Sequence, residues 1–170
     1  MSILTTTALA AAATLAIAYA VGQFTTRSLY TEIEINAPAS TVWATLTDTA
    51  SFPEWNPFIK SLTGDLTVGN RLAVTLQSEG NAPMNFTPTI LKAQENQELR
   101  WLGKLGAKGI FDGEHYYILQ ETAQGTTQFR HGENFSGMLA YVLFALIGED
   151  TEKGFTAMND ALKARVEAKS

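Results

Sequence analysis

The sequence predicts an α+β domain in which an antiparallel sheet of six to seven strands curves around one long C-terminal helix. Short segments of alternating apolar and polar residues recur between residues 29 and 135, with turn residues between them. Short helices follow the first strand, and residues 149–168 have the pattern of a long amphipathic helix. One stripe of that helix is apolar: Phe155, Met158, Leu162 and Val166. A curved sheet and such a stripe can bury each other's apolar faces.

Residues 3–21 form a separate uncharged segment, ILTTTALAAAATLAIAYAV. As a helix it would span about 28 Å, close to the roughly 30 Å hydrocarbon core of a bilayer. Three interpretations stay open: an uncleaved membrane anchor, a secretory signal peptide with an A-x-A-like site at residues 18–20, and a helix buried in the protein. The first two predict a membrane-anchored or exported (periplasmic or extracellular) protein. They also divide the chain into a hydrophobic segment, 1–27, and a domain, 28–170.

The composition excludes several classes of function. The net charge is −5, and basic and acidic residues are interleaved near the C-terminus, so no basic surface for nucleic acid is predicted. The chain contains no cysteine, which excludes disulfide bonds, thiolate metal sites and a cysteine nucleophile. We predict no metal site and no other cofactor.

The first strand and a short helix open the domain. LYTEIEIN, residues 29–36, alternates so that Ile33 and Ile35 share one face. APASTVWATLTD, residues 37–48, has a proline suited to a first helical turn, followed by apolar residues at helical spacing. SFPEWNPFIKSL, residues 51–62, has two prolines that argue against a regular helix or a central strand, although it is rich in aromatic residues.

A run of strands follows, up to residue 135. The strand patterns are DLTVGNRLAVTLQ (65–77), MNFTPTILKAQ (84–94), ELRWLG (98–103), GEHYYILQ (113–120) and TTQFRHGENF (126–135). Pro88 indicates an edge or a bulge in the second of them, and Gly125 suits the loop of a hairpin between the last two. SGMLAYVLFALIG, residues 136–148, is almost wholly apolar and fits either a buried helix or a buried strand.

Several of these segments resemble the SRPBCC superfamily of START-like, helix-grip proteins, many of which are polyketide cyclase/dehydrase-like. The resemblance covers about residues 30–168 and rests on INAPASTVWATLTDTASFPEWNPFI, GNRLAVTL, ELRWLG, FDGEHYYIL, FRHGENFSGML and GFTAMNDALKARVEA. It implies the helix-grip fold, with two short helices after the first strand. Members of the superfamily include lipid carriers, aromatase/cyclases and receptors for hydrophobic ligands, so the resemblance implies the fold strongly and the activity weakly.

The resemblance also implies an internal cavity between the sheet and the C-terminal helix. We predict that this cavity binds a small, mainly hydrophobic molecule such as a lipid. In that fold FPEWNPFI would be the rim and lid of the cavity; alternatively, its aromatic residues close the end of the domain. The residues predicted to line the cavity are Trp43, Trp55, Phe58, Leu76, Phe86, Trp101, Tyr117, Phe129 and Phe135.

Polar residues are predicted among these apolar ones. His131 and Glu133 share the inner face of the strand 126–135 with Phe129 and Phe135, although an unpaired Glu is rarely buried. A hairpin centred on residue 123 predicts four inward cross-strand pairs: Leu119 with Thr127, Tyr117 with Phe129, His115 with His131, and Gly113 with Glu133. The glycine would leave room for the carboxylate. The predicted polar cluster therefore consists of His115, Tyr117, His131 and Glu133.

Three interpretations of this cluster stay open: an internal hydrogen-bond network, a device that orients a ligand's carbonyl or hydroxyl group, and an acid–base site. Burial should lower the pKa of a histidine and raise that of a glutamate. The enzyme alternative is a cyclase or dehydratase without metal, in which His131 or Glu133 abstracts a proton alpha to a carbonyl and Tyr117 or His115 polarises the oxygen. A further alternative, a protein-interaction module, would show a filled cavity and a large exposed apolar patch.

Overall fold

The computed structural model describes residues 3–78 and 80–168. The α-helices in this part of the chain are α1 (Ile3–Phe24), α2 (Ala39–Thr47), the one-turn α3 (Phe52–Trp55) and α4 (Ala140–Glu167), and a short 3-10 helix, Thr49–Ser51, precedes α3. The strands are β1 (Thr26–Ile35), β2 (Ile59–Thr63), β3 (Ala73–Leu76), β4 (Met84–Phe86), β5 (Thr89–Gln94), β6 (Glu98–Lys104), β7 (Asp112–Glu121) and β8 (Thr127–Ser136). The apolar segment 136–148, which the sequence left open, provides the first turns of α4.

The strands form two antiparallel sheets. The order is β1-β8-β7-β6-β5 in the larger sheet and β2-β3-β4 in the smaller one. Helix α4 packs against β1 and β8, and its predicted stripe is fully buried: Phe155, Met158, Leu162 and Val166. The predicted α+β architecture, with an antiparallel sheet and a long C-terminal helix, is confirmed. The sheet differs in detail, since the described chain has eight strands in two sheets and not one sheet of six to seven.

Pro88 lies at the division between the two sheets. The predicted strand 84–94 is in fact two strands: β4 ends at Phe86 in the smaller sheet, and β5 begins at Thr89 in the larger one. Proline cannot donate a hydrogen bond to a sheet ladder, and its carbonyl here accepts the backbone N–H of Leu72 at 2.9 Å. The chain therefore changes sheets at the proline, where an edge or a bulge was predicted.

The predicted strand 65–77 is wrong in its first half. The carboxylate of Asp65 accepts hydrogen bonds from Thr67 Oγ1 at 2.9 Å and from Asn70 Nδ2 at 3.1 Å. Gly69 adopts φ +90°, which favours glycine. These side-chain bonds fold residues 65–70 into a turn, so that β3 begins only at Ala73.

The proline-containing segment 51–62 is also more regular than predicted. Pro53 lies in the first turn of α3, where its missing N–H costs no helical hydrogen bond. Asn56 Oδ1 then accepts the backbone N–H of Ile59 at 2.8 Å, where β2 begins. A register shift between Ile59 and Ser61 breaks the alternation of β2, which explains why its sequence does not look like a strand.

Helix α1 is almost wholly exposed and meets the domain near its own C-terminal end. There the Gly22 carbonyl accepts the N–H of Gly137 at 2.9 Å, and the Tyr19 hydroxyl donates to the Lys108 carbonyl at 3.3 Å. Because β1 begins at Thr26, the predicted domain boundary at residue 28 would remove the first two residues of this strand. We therefore propose residue 25 as the start of the domain.

We expect a chain that begins at residue 25 to fold without α1, because the core lies between the sheets and α4. Circular dichroism during heating should show a single cooperative transition. A product that is aggregated or unfolded at every temperature would contradict this expectation and would give α1 a structural role.

Candidate ligand-binding site

A cavity of about 70 Å³ lies between the two sheets. The smaller sheet contributes Val74, Leu76 and Phe86, and the larger one contributes Trp101, His115 and Glu133. Leu105 and Phe111, from the connection between β6 and β7, also line it. The wall is therefore mainly apolar, with Glu133, His115 and Lys104 as its polar side chains on the larger sheet, which is the usual character of a small-molecule site.

The space between the larger sheet and α4, where the cavity was predicted, is filled by side chains. The side chains of Tyr117, His131, Phe155 and Met158 are all fully buried there. His131 stacks on Phe155 with ring centroids 3.7 Å apart, and the Tyr117 hydroxyl donates to Met158 Sδ at 3.5 Å. No residue of α4 lines the cavity beside Glu133; the α4 residues Gly154 and Ala157 line, with Pro57 and Phe58, a separate cleft of about 440 Å³.

Three neighbouring strands bring the site residues together. On β6, β7 and β8, Trp101 lies opposite His115, and His115 lies opposite Glu133. The rings of Trp101 and His115 are stacked, with centroids 4.4 Å apart and planes inclined by 11°. This stacking holds the imidazole against the cavity wall, with its Nδ1 3.6 Å from Glu133 Oε2.

The register of this hairpin differs by two residues from the predicted one. The observed pairs are His115 with Glu133, Tyr117 with His131, and Gly113 with Phe135. The hairpin is centred on residue 124, since Thr122 N–H bonds to the Thr126 carbonyl and Gly125 takes the left-handed position at φ +79°. A shift of two residues keeps every side chain on its predicted face, so the inward-facing set is as predicted although its pairs are not.

Gly113 gives the carboxyl group of Glu133 its space, as the sequence predicted from a different pairing. A Cβ atom at position 113 would overlap Glu133 Oε1. The carboxyl group accepts no hydrogen bond within the described chain, because its nearest polar partner is His115 at 3.6 Å. About 18% of the Glu133 side chain stays exposed. Glu133 is therefore the polar group that an occupant of the cavity can contact.

A hydrogen-bond chain continues from His115 into the core. His115 Nε2 and His131 Nε2 lie 3.1 Å apart, and His131 Nδ1 lies 3.0 Å from Asn159 Oδ1. Asn159 Nδ2 in turn donates to Thr31 Oγ1 at 2.8 Å. Because Asn159 presents its oxygen to His131, Nδ1 of that ring carries the proton, so Nε2 accepts and His115 Nε2 donates. This assignment leaves His115 Nδ1 unprotonated and directed toward Glu133.

Burial sets the charge of these groups. Burial raises the pKa of Glu133 to about 8 and lowers the pKa of His115 to about 3. Burial lowers the pKa of His131 well below its usual value, and the neighbouring His115 lowers it further. At neutral pH the site is therefore an uncharged carboxylic acid beside two neutral imidazoles, able to donate a hydrogen bond to a carbonyl or hydroxyl oxygen.

Comparison with known proteins identifies the family. Residues 26–167 match the family described as polyketide cyclase / dehydrase and lipid transport. The chain belongs to this family. A curated relative, "Oxopyrrolidines biosynthesis cluster protein O" of Penicillium oxalicum, is 27% identical in a gapped alignment of 167 positions that covers 78% of this chain and 83% of that protein.

Solved structures share the fold of this family member. A START superfamily protein from Mycobacterium smegmatis superposes with a TM-score of 0.64 at 17% identity, covering 84% of this chain and 99% of that one. The Zhui aromatase/cyclase from Streptomyces sp. R1128 gives 0.64 at 13% identity, with 84% and 94% covered. Norcoclaurine synthase from Thalictrum flavum gives 0.63 at 18% identity, with 86% and 98% covered. The START-like resemblance predicted from the sequence is confirmed; at these identities the structures show the fold alone.

The nine residues predicted to line a cavity in this polyketide cyclase-like protein fall into three groups. Leu76, Phe86 and Trp101 line the cavity beside Glu133. Tyr117, Phe129 and Phe135 are buried in the core. Trp43 and Trp55 are partly buried against that core, and Phe58 is buried in it. A role of these nine residues in binding stays a prediction.

The segment FPEWNPFI makes packing contacts. Trp55 Nε1 donates to Ser51 Oγ at 3.2 Å, and its ring meets Phe52 edge-on at 5.3 Å. Phe58 meets Phe155 edge-on at 5.7 Å, and a Cβ at Gly154 would overlap its ring. The contacts of Trp55 favour the alternative in which the segment closes the end of the domain, whereas Pro57 and Phe58 line the cleft of about 440 Å³ beside α4.

Sequence reasoning missed two parts of the site. Asn159 anchors the histidine chain, and its position four residues after Phe155 and three before Leu162 marks it as a polar residue on the buried stripe of α4. The connection between β6 and β7 supplies Leu105 and Phe111. No periodic pattern identifies these two, because they lie outside the strands.

Proposed function

We propose that this protein binds a small, mainly apolar molecule that carries a carbonyl or hydroxyl oxygen, in the cavity between the two sheets. Trp101, Leu76 and Phe86 would contact the apolar part, and the protonated Glu133 would donate a hydrogen bond to the oxygen. The observation that carries the proposal is the Glu133 carboxyl group, which lines an apolar cavity without a hydrogen bond from the described chain. Most of the Glu133 side chain is removed from water, so an oxygen-bearing ligand would replace hydrogen bonds that the carboxyl group loses on folding.

The size of the cavity limits the ligand. Sites that enclose drug-sized molecules measure about 300–1,000 Å³. At about 70 Å³ the cavity admits a small molecule or one end of a longer one. A larger ligand would require the connection that carries Leu105 and Phe111 to move away from the smaller sheet.

We expect Glu133→Leu to weaken the binding of a small aromatic ketone about fivefold, since one neutral hydrogen bond contributes about 1 kcal/mol. The binding of acetophenone is compared with that of ethylbenzene, a hydrocarbon of similar shape. Binding is measured as the change in Trp101 fluorescence, which is identified as the part of the signal that is absent in Trp101→Phe. The hydrocarbon should bind wild type and Glu133→Leu equally. Glu152→Gln, on the exposed face of α4, is the control and should bind like wild type.

Two results would contradict the proposal. Wild type that binds neither probe would contradict the cavity as a binding site. Wild type that binds both probes equally tightly would leave Glu133 without a role in recognition.

A second candidate function is acid–base catalysis of a dehydration. It is favoured by the row of uncharged side chains formed by Glu133, His115 and His131. His115 Nδ1 would accept the proton from the carbon alpha to a carbonyl, the bond to a beta-hydroxyl group would break, and Glu133 would protonate the departing oxygen. A carbon–carbon double bond and water result. His115 Nδ1 then returns its proton to Glu133, 3.6 Å away. Tyr117 and His131, which the sequence offered for these roles, lie outside the cavity lining.

Glu133→Gln separates the two functions. Its amide can still donate a hydrogen bond to a ligand oxygen, so a binding protein would keep most of its affinity. An acid catalyst would lose turnover in the same variant, because an amide carries no acidic proton.

We also propose that α1 tethers the domain to a membrane, which would make the protein membrane-anchored or exported. Thr5–Gly22 is long and apolar enough to cross a bilayer, and almost none of it is buried against the domain. A signal peptide passes the same test. Mass spectrometry of the protein from its native host distinguishes the two, since a cleaved signal would leave a chain lacking about residues 1–20.

A further inference from the structure

The first turns of α4 present apolar side chains to the outside of the protein. The exposed residues are Leu139 (37%), Tyr141 (69%), Val142 (56%) and Leu146 (72%), together with Ala145. From Glu149 onward the exposed positions of the same helix are mostly charged or polar. We call residues 139–146 the apolar end of α4. Exposed apolar residues grouped in this way, and not scattered singly, mark an interaction surface.

The apolar end of α4 is joined to two neighbouring segments. The N–H groups of Met138 and Leu139 donate to the carbonyls of Gly109 and Ile110, at 2.9 and 2.8 Å. These carbonyls belong to the connection between β6 and β7, whose Leu105 is 54% exposed. On the other side, α1 meets residue 137 through the Gly22 carbonyl. The end of α1, the β6–β7 connection and the start of α4 therefore form one region of the surface.

Helix α1 indicates what covers this region. A bilayer that holds Thr5–Gly22 would end where that helix meets the domain, next to the apolar end of α4. Aromatic and basic residues, which concentrate at membrane–water interfaces, surround the junction. Among them are Tyr19, Lys104 and Lys108, and Arg27, whose guanidinium lies 4.7 Å from the ring centroid of Tyr141. Basic side chains at this depth would also attract anionic headgroups.

We propose that the apolar end of α4, together with Leu105, is a docking surface for a lipid bilayer. Tyr141, Val142 and Leu146 would enter the boundary between headgroups and acyl chains, with Lys104 and Lys108 at the headgroups. The end of β6 and the β6–β7 connection belong to both sites, since Lys104, Leu105 and Phe111 also line the cavity. The cavity is thus held beside the bilayer, so an apolar ligand can reach it from lipid without crossing water. This access route rests on the proposed ligand binding in the cavity, and the docking surface rests on the proposed insertion of α1 in a membrane.

A single introduced cysteine tests the docking surface, since the natural chain has none. The full chain with Leu146→Cys is labelled at the cysteine with an environment-sensitive fluorophore. It is then inserted into vesicles of phosphatidylcholine and phosphatidylglycerol that contain nitroxide-labelled phospholipid. Asp160→Cys, exposed on the same helix about 21 Å further along, is the matched control. We expect the lipid nitroxides to quench the fluorophore at position 146 several-fold more strongly than the one at position 160. Val142→Cys should behave like Leu146→Cys and replaces it if that variant fails to fold.

Two outcomes would overturn the docking surface. Equal quenching at positions 146 and 160 would show that the apolar end of α4 stays in water. Protection of position 146 from aqueous iodide without quenching by lipid would show that protein covers it, as in a complex with a second copy of the chain. Neither measurement contains a ligand, so a failure here is distinct from a failure of acetophenone to bind in the cavity.

Discussion

Phe155→Ala is expected to destabilise the domain by about 3–5 kcal/mol, the usual cost of removing a fully buried phenylalanine ring. The ring is 0% exposed and lies between the larger sheet and the segment after α3. It stacks on His131 at 3.7 Å and meets His115 and Phe58 edge-on at 5.1 and 5.7 Å. Its removal would leave a cavity and would also free both histidines to move.

Urea unfolding of the chain that begins at residue 25, followed by circular dichroism, measures this loss. Asp160→Ala, exposed on the same helix, should change the free energy of unfolding by less than about 0.5 kcal/mol. A loss below about 1 kcal/mol in Phe155→Ala would contradict the packing of α4 on the sheet. Because the new space adjoins His115, the same variant should also bind ligands larger than acetophenone.

The parts of the fold that could be predicted are those in which a single periodicity persists. The stripe of α4 repeats Phe155, Met158 and Leu162 at helical spacing, and these side chains are buried as predicted. The strand 65–77 also appeared to alternate, but Asp65 binds Thr67 and Asn70 through its side chain. Such local side-chain bonds compete with the sheet ladder and leave no mark on the hydrophobic pattern.

The sequence predicted which face of each strand the site residues share, but it did not predict the cross-strand pairs between β7 and β8. Alternation placed His131 and Glu133 on the inner face, because the opposite face of β8 is polar or glycine. The pairing depends on the hairpin loop, and a loop centred one residue later moves every partner by two. The predicted His115–His131 contact nevertheless occurs, since Nε2 of each ring reaches diagonally across the two strands at 3.1 Å.

The location of the cavity could not be predicted, because it depends on how the second sheet is placed. Alternation shows that Leu76 and Trp101 face inward, but it does not show whether they face α4 or each other. The change of sheets at Pro88 directs β3 and β4 toward Trp101 and Glu133, while Phe155 and Met158 fill the space on the helix side. The candidate site therefore lies between two sheets that the sequence suggested were one.

Raising the pH from 6.5 to 8 is expected to lower the free energy of unfolding, because the folded protein keeps a proton on Glu133 that the unfolded chain releases. Burial raises the pKa of Glu133 from 4.5 to about 8. Between these values the unfolded carboxyl group loses its proton while the folded one keeps it, so stability falls as pH rises. This contribution is fully present below pH 4.5 and is lost as pH rises through 8.

The histidines act in the opposite direction at lower pH. Burial lowers the pKa of His115 from 6.5 to about 3, and that of His131 falls in the same direction. Between pH 3 and 6.5 the unfolded chain binds a proton on His115 that the folded one excludes, and His131 acts in the same direction, so their contribution to stability rises with pH. Above pH 6.5 the histidines are neutral in both states, and Glu133 is the member of the cluster that still titrates. Among these three groups, maximum stability therefore lies near pH 6.5.

Glu133→Gln removes the ionisable carboxyl group, so comparison with wild type gives the contribution of that group to the pH dependence of the free energy of unfolding. Between pH 6.5 and 8 the free energy of unfolding of wild type should fall by about 2 kcal/mol more than that of the variant, since one retained proton changes it by about 1.4 kcal/mol per pH unit. Urea unfolding of both chains, and of Glu152→Gln as a control that should follow wild type, measures this difference at pH 6.5 and 8. If wild type and Glu133→Gln change equally between the two pH values, Glu133 is ionised in the folded protein. The cavity would then present a carboxylate, which would favour a cationic ligand over a ketone.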